Sequence, residues 1–210
     1  MVPLTREQAD AFTTRMAKRF NARVVDKERS VPMLAAALTL GAVGLFGPKV
    51  PGPEAFLNDF STTIPDPEDV IASPLRPRAL LALSKKARET PHGQVITVGH
   101  ECHHADVVQR RWPEAQWFYV VDDHSRAEEE VQAYVVTESL SRRLTGQRRP
   151  LGDVLATLAG SYHLGETAQG LARELVTSAW ASLDEFPVPP IEAAIAAHEI
   201  LNELGVGWAS

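Results

Sequence analysis

Apolar residues recur at helical spacing near the start of the chain, where Phe12, Met16 and Phe20 fall four apart with Arg and Lys between them. Thr5-x-x-Gln8 has the form of a capping box, so a packing helix is expected from residue 5 to about 21. Residues 31–47 are uncharged, with Met33-Leu34-Ala35-Ala36-Ala37-Leu38 followed by Gly41, Gly44 and Phe46. This segment is shorter than the roughly 20 residues of a bilayer span, and it carries Pro32 and three glycines, so it reads as a buried core element rather than a membrane helix. Prolines at 48, 51 and 53 make a rigid connector. Residues 56–64 and 69–73 are β-prone runs split by Pro65-Asp66-Pro67 and are expected to pair as a hairpin. Residues 76–89, with Leu80, Leu81 and Leu83, read as a helix broken by Pro91-His92-Gly93.

Two longer helical patterns follow. One runs from Gln94 through Arg110 without an internal proline until Pro113, and the other covers 125–144, opening on Ser125-x-x-Glu128, a second capping box. Beyond Gly146 three more helices are expected, over 151–159, 161–183 and 190–204. The result is an α+β protein, mostly helical, with a small hairpin or short sheet. It is expected to form a single domain over 1–210, with an N-terminal helical part (1–47), a core (54–146) and C-terminal helices (151–210).

Composition narrows the class. A chain of 210 residues, 44% apolar and 23% charged, can bury a sizeable core. A formal charge of −6 argues against general affinity for nucleic acid, because the basic residues cluster only as Arg142-Arg143 and Arg148-Arg149. The lone Cys102 excludes an internal disulfide framework, and Met1-Val2-Pro3-Leu4-Thr5-Arg6-Glu7 has no basic-then-apolar signal, so a cytoplasmic setting is expected.

The chemistry sits in His100-Glu101-Cys102-His103-His104, which fits H-E-x-x-H. On a helix, positions i and i+4 share a face, so His100 and His104 can bind one metal ion. Glu101 lies about a quarter turn away, where it can act as general base on water without itself coordinating. Cys102 projects to the opposite side with Val95, Val98 and Ala105 and belongs to the core. His103 would need a distorted helix to coordinate and reads as a residue at the rim of the site or behind its ligands. A catalytic site needs one more protein ligand. The H-x-x-G-x-x-H continuation is absent, since Val107 and Arg110 stand where its glycine and last histidine would be. A carboxylate is therefore sought in Glu128-Glu129-Glu130. Glu128 is expected to be occupied by its capping box. Glu129 shares a face with Ala133, Val136 and Leu140, so both Glu129 and Glu130 stay open.

Glu130-Val131-Gln132-Ala133 has the form E-x-x-A. Over 94–144, about a quarter of the chain, the sequence resembles gluzincin-like peptidases, including those similar to the ImmA/IrrE group. The resemblance implies a zincin-like core beside the motif helix, zinc held by His100, His104 and Glu130, and hydrolysis of a peptide or protein substrate with Glu101 as base. In those families the residue after the alanine is often Asp or Asn, orienting a ligating histidine. Here it is Tyr134, which leaves that partner unidentified. A donor for the developing oxyanion is sought among Tyr162, His163, Tyr119 and His124, with Tyr162 and His163 expected at the start of a long helix. His92 and His198 read as ordinary. A sheet edge beside the motif helix would align an extended substrate. The alternative is a non-catalytic zinc-binding protein that keeps the motif helix for stability or partner binding.

Overall fold

The computed structural model describes residues 1–34, 61–73, 75–162 and 164–209, with 54 and 58. Most of the 31–47 apolar segment, and all but residue 58 of 56–60, lie outside the described residues. The fold is α+β and mostly helical, as the pattern predicts. Helix α1 (Arg6–Arg19) starts at the Thr5 capping box: Thr5 Oγ1 accepts from the Gln8 amide (3.1 Å) and Gln8 Oε1 accepts from the Thr5 amide (3.0 Å). Then come β1 (Ala22–Asp26), a short 3-10 turn (Lys27–Arg29), β2 (Thr62–Pro65), α2 (Pro67–Ala72), β3 (Ala79–Leu83) and α3 (Lys85–Arg88). The remaining elements are helices: α4 (Pro91–Arg111), α5 (Glu114–Val121), α6 (Asp123–Thr145), α7 (Leu151–Ser161), α8 (Glu166–Glu185) and α9 (Glu192–Glu203).

The region before the motif helix differs from expectation. Residues 79–83 are not helical but form the middle strand of a three-stranded sheet ordered β1-β3-β2. β1 runs parallel to β3, with Val24 opposite Leu81, and β2 runs antiparallel, with Ile64 opposite Leu80. Every residue of β3 is buried: Ala79, Leu81 and Leu83 face the helical core, while Leu80 and Ala82 pack on Met33, Val25 and Ile64. A strand covered on both faces shows no alternation, which is why its apolar run also fits a helix. Residues 69–73 are not a strand either. Asp66 accepts from the Glu68 amide and Pro67 takes the first helical position, so α2 forms there and the hairpin does not.

Two helix starts also move. Pro91-His92-Gly93 is not a break but the first turn of α4, capped by Thr90, whose Oγ1 accepts from the Gly93 amide at 3.0 Å. Helix α6 is capped by Asp122, which accepts from the Ser125 amide (3.0 Å) and hydroxyl (2.6 Å), so Ser125 lies inside the first turn and its capping box does not exist. The three C-terminal helices fall where expected within a few residues. Helix α5 was not anticipated.

One core joins α1, α4, α6 and α9 over one face of β3, and a second lies between α6, α7 and α8. Cys102 is in the first, with Val95, Val98 and Ala105 as predicted. Helix α6 contributes to both, through Val136, Leu140 and Leu144 on one side and Ala127, Val131 and Val135 on the other. Its last turn ends on Gly146 in the left-handed conformation (φ 76°), and two of its carbonyls accept from distant backbone: Leu144 from Val2 (2.8 Å) and Arg143 from Ala209 (2.7 Å). Among the described residues no helix is long and apolar enough to cross a membrane.

Candidate metal centre

The site lies where α4 and α6 pack most closely. A Cβ on Gly99 would meet Leu140 Cδ1 at 2.3 Å and Val136 Cγ1 at 3.4 Å, so glycine at this position is what lets the two helices approach. The next residue, His100, and His104 one turn on then face α6. Glu130 comes from that helix, 1% exposed, with Oε2 3.7 Å from His100 Nε2 and Oε1 3.5 Å from His104 Nε2. His100, His104 and Glu130 thus form a group able to hold a metal ion, one ligand atom from each lying within 4.8 Å of the others. Ligand atoms about 2.0–2.2 Å from a tetrahedral divalent ion stand roughly 3.3–3.6 Å apart, close to the spacings observed. Glu130 Oε2 is buried and makes no hydrogen bond, the state expected of an oxygen that needs a cation.

The protonation states suit a ligand set. Burial, with neighbouring His104, His103 and Arg149, holds His100 well below the ordinary histidine range, and burial likewise lowers His104 against the pull of Glu101. Both imidazoles are therefore neutral. The orientation of His100 comes from Thr137: its Oγ1 lies 3.1 Å from His100 Nδ1 and donates to the Ala133 carbonyl at 3.1 Å. His100 itself also hydrogen-bonds the Ala133 carbonyl, which can only accept, so the ring donates on that side and Nε2 keeps a lone pair aimed at the site. Tyr134 packs its ring edge-on against His100, with centroids 5.2 Å apart.

Glu130 is raised to about 7 by burial, opposed by the hydroxyls of Tyr119 and Tyr162 and by Arg126. Tyr119 on α5 donates to Glu130 Oε1 at 2.5 Å. Tyr162 follows the last residue of α7 rather than opening the next helix, and its hydroxyl lies close to the same carboxylate. Glu129 is half-buried beside Arg111 and stays outside the cluster. Glu128 is exposed. His124 is exposed and pairs with Asp122 at 3.8 Å, and His163 lies outside the described residues. His103 is not a rim residue: it is 1% exposed with neither ring nitrogen hydrogen-bonded, and burial lowers it to about 3.

Glu101 is buried beside the ligands. Its Oε2 accepts from Thr63 Oγ1 at 2.7 Å, which ties the motif helix to β2, an edge strand with no partner on its outer side among the described residues. Burial raises the Glu101 carboxyl, while His104, Thr63 and Lys27 pull it down. Lys27 is fully buried, donates to Thr62 Oγ1 at 2.5 Å and is lowered to about 8, again by burial. A cleft of about 400 Å³ opens beside the cluster, lined by His100, Glu101, Tyr134, Thr137, Arg149 and Tyr162 among others.

Thr63, Thr137 and Lys27 escape sequence reading. Thr137 had a signal, since it lies seven residues after Glu130 and so near the same helical face. Thr63 and Lys27 reach Glu101 only through the fold. Comparison with protein-family models, curated proteins and solved structures finds no match for this chain.

Proposed function

We propose that the protein is a zinc-dependent metallopeptidase of gluzincin type, with His100, His104 and Glu130 as zinc ligands and Glu101 as general base. The observation that carries this is the buried Glu130 carboxylate facing two neutral imidazoles, Oε2 toward His100 at 3.7 Å and Oε1 toward His104 at 3.5 Å, with a second carboxylate one residue from His100. His100 and Glu101 line the cleft, and the His100 and His104 side chains are 14% and 13% exposed, which suits a centre that keeps a position for water and substrate. Zinc held by these three residues would supply the Lewis acidity to lower the pKa of a water toward neutrality and to polarise a carbonyl.

The chain's own residues do the rest. Thr63 holds Glu101 Oε2, which directs Oε1 as the proton acceptor. Glu101 takes a proton from the attacking water and returns it to the leaving nitrogen, and its burial, by raising its proton affinity, suits both transfers. Tyr119 fixes Glu130. Tyr162 lines the cleft with its hydroxyl proton toward Glu130, and would serve an oxyanion by turning that proton from the carboxylate to the substrate oxygen. An extended peptide would add to the outer edge of β2, which lies beside Glu101 and has no strand partner among the described residues. A cytoplasmic setting is part of the same proposal.

The test is zinc content and peptide hydrolysis on untagged protein. One zinc per chain is expected in wild type and in Glu129→Ala, with occupancy lost in His104→Ala and Glu130→Ala. Glu101→Gln should keep zinc while hydrolysis falls by about 10²–10⁴-fold. Stoichiometric zinc with no hydrolysis in wild type would leave a non-catalytic metal centre instead.

A further inference from the structure

The cleft contains a cation that the hydrolytic steps do not use. Arg149 follows α6 and folds back on it: its backbone N–H and Nε donate to Glu138 Oε2 and Oε1 at 2.8 and 2.6 Å. Glu138 is fully buried, so this clamp fixes the arginine. The guanidinium lies 4.9 Å over the Tyr134 ring, with the Tyr134 hydroxyl beside it. The Nε bond and the Tyr134 hydroxyl occupy part of the guanidinium, and its exposed side is left for another ligand. Nη2 is shut off from solvent without a hydrogen bond, while the side chain as a whole is 39% exposed. Among the described residues lining the cleft, Arg149 is the one Lys or Arg.

Its distance from the reacting centre is set by two ring contacts. Arg149 stands 4.9 Å from Tyr134, and Tyr134 stands 5.2 Å from His100. Together these span about three residues of extended chain. A fixed guanidinium held on a ring, with one side open to the cleft, offers a charge-assisted hydrogen bond to a carboxylate.

We infer that Arg149 recognises a carboxylate of the substrate, either the peptide's own C-terminus or an Asp or Glu side chain, within about three residues of the bond attacked. This rests on the proposed peptidase reading and adds the substrate class to it. A purely structural arginine, there only to clamp Glu138, would show no ligand preference.

Binding tests it without turnover. Zinc-loaded Glu101→Gln is titrated calorimetrically with one unstructured decapeptide lacking acidic residues, in three forms: free C-terminus, amidated, and amidated with a single Glu moved along the chain. At least one carboxylate form should bind about 10- to 100-fold more tightly than the neutral one. Preference for the free C-terminus alone identifies an α-carboxylate, and preference for Glu alone identifies a side chain. Adding Arg149→Gln should abolish the preference, and Arg149→Lys, which keeps the charge and the Glu138 pair, should retain part of it. Equal binding of all forms, no binding of any, or a preference that survives Arg149→Gln in a folded, zinc-loaded protein overturns the inference. Hydrolysis of the same peptides by wild type separates the two readings. A binding preference without turnover sinks the peptidase and keeps Arg149, whereas turnover indifferent to carboxylate does the reverse.

Discussion

The Thr137 hydroxyl has a single proton, and the Ala133 carbonyl takes it, so toward His100 it can only accept. One residue on α6 thereby does what an Asp or Asn after the alanine would do, and Tyr134 is free to carry the Arg149 cation on its face. Thr137→Val keeps the shape and removes the acceptor. Metal affinity should fall about 10- to 100-fold, as measured by competition with a chelator, while the melting temperature of the metal-free protein changes little. Unchanged affinity would mean that something else sets the tautomer. At this scale the sequence is most legible: helical spacing alone puts His100, Glu101 and His104 together, a family resemblance singles out Glu130, and the structure brings His100, His104 and Glu130 into one group able to hold an ion. Burial then separates Glu130 from Glu129, which no local pattern could do.

At the scale of elements, Gly99 sets the distance between the two ligand helices. Replacing it with alanine improves helix propensity by about 1 kcal/mol, but the new methyl overlaps Leu140 Cδ1, and overpacking a tight contact costs about 1–3 kcal/mol. Gly99→Ala should therefore lower both the melting temperature and zinc affinity. Leu140→Ala in the same chain should recover part of the affinity, since the two changes share one contact. A rise in melting temperature in the single variant would show that Leu140 yields freely. Helices with capping residues or long periodic stretches, such as α1, α4 and α6, were legible in outline. The β3 strand was not, because burial on both faces erases its alternation, and α2 was misread because two prolines concealed a helix start capped by Asp66. Helix α5 hides between Pro113 and the Asp122 cap, too short to show a clear period, yet it delivers Tyr119 to Glu130.

Across the whole molecule, α6 is where both cores and the site meet, and its C-terminal half rests on a buried polar network. Arg143 Nη1 donates to His198 Nδ1 (3.1 Å), so the ring's Nε2 proton goes to Ser139 Oγ (2.8 Å), whose own proton goes to the Pro187 carbonyl (2.7 Å). Each group has its proton assigned, and a second proton on His198 would face a guanidinium. Burial, with Arg143, lowers His198 to about 4. The unfolded chain takes up that proton near pH 6.5 and the folded one does not until about 4, so stability is present at neutral pH and lost as pH falls across that window. Relative to His198→Gln, which can keep both bonds without titrating, wild type should lose on the order of 3 kcal/mol by pH 4. Parallel denaturant curves from pH 7 to 4 check it; a constant gap between the two proteins would refute it. The hydrogen bonds from Val2 and Ala209 to Leu144 and Arg143 bear on the site as well. Both bonds steady the last turn of a helix that carries Glu130 about 20 Å further along, so replacing Val2 or Ala209 with proline, which removes the donor, would loosen the support of the candidate metal site from a distance.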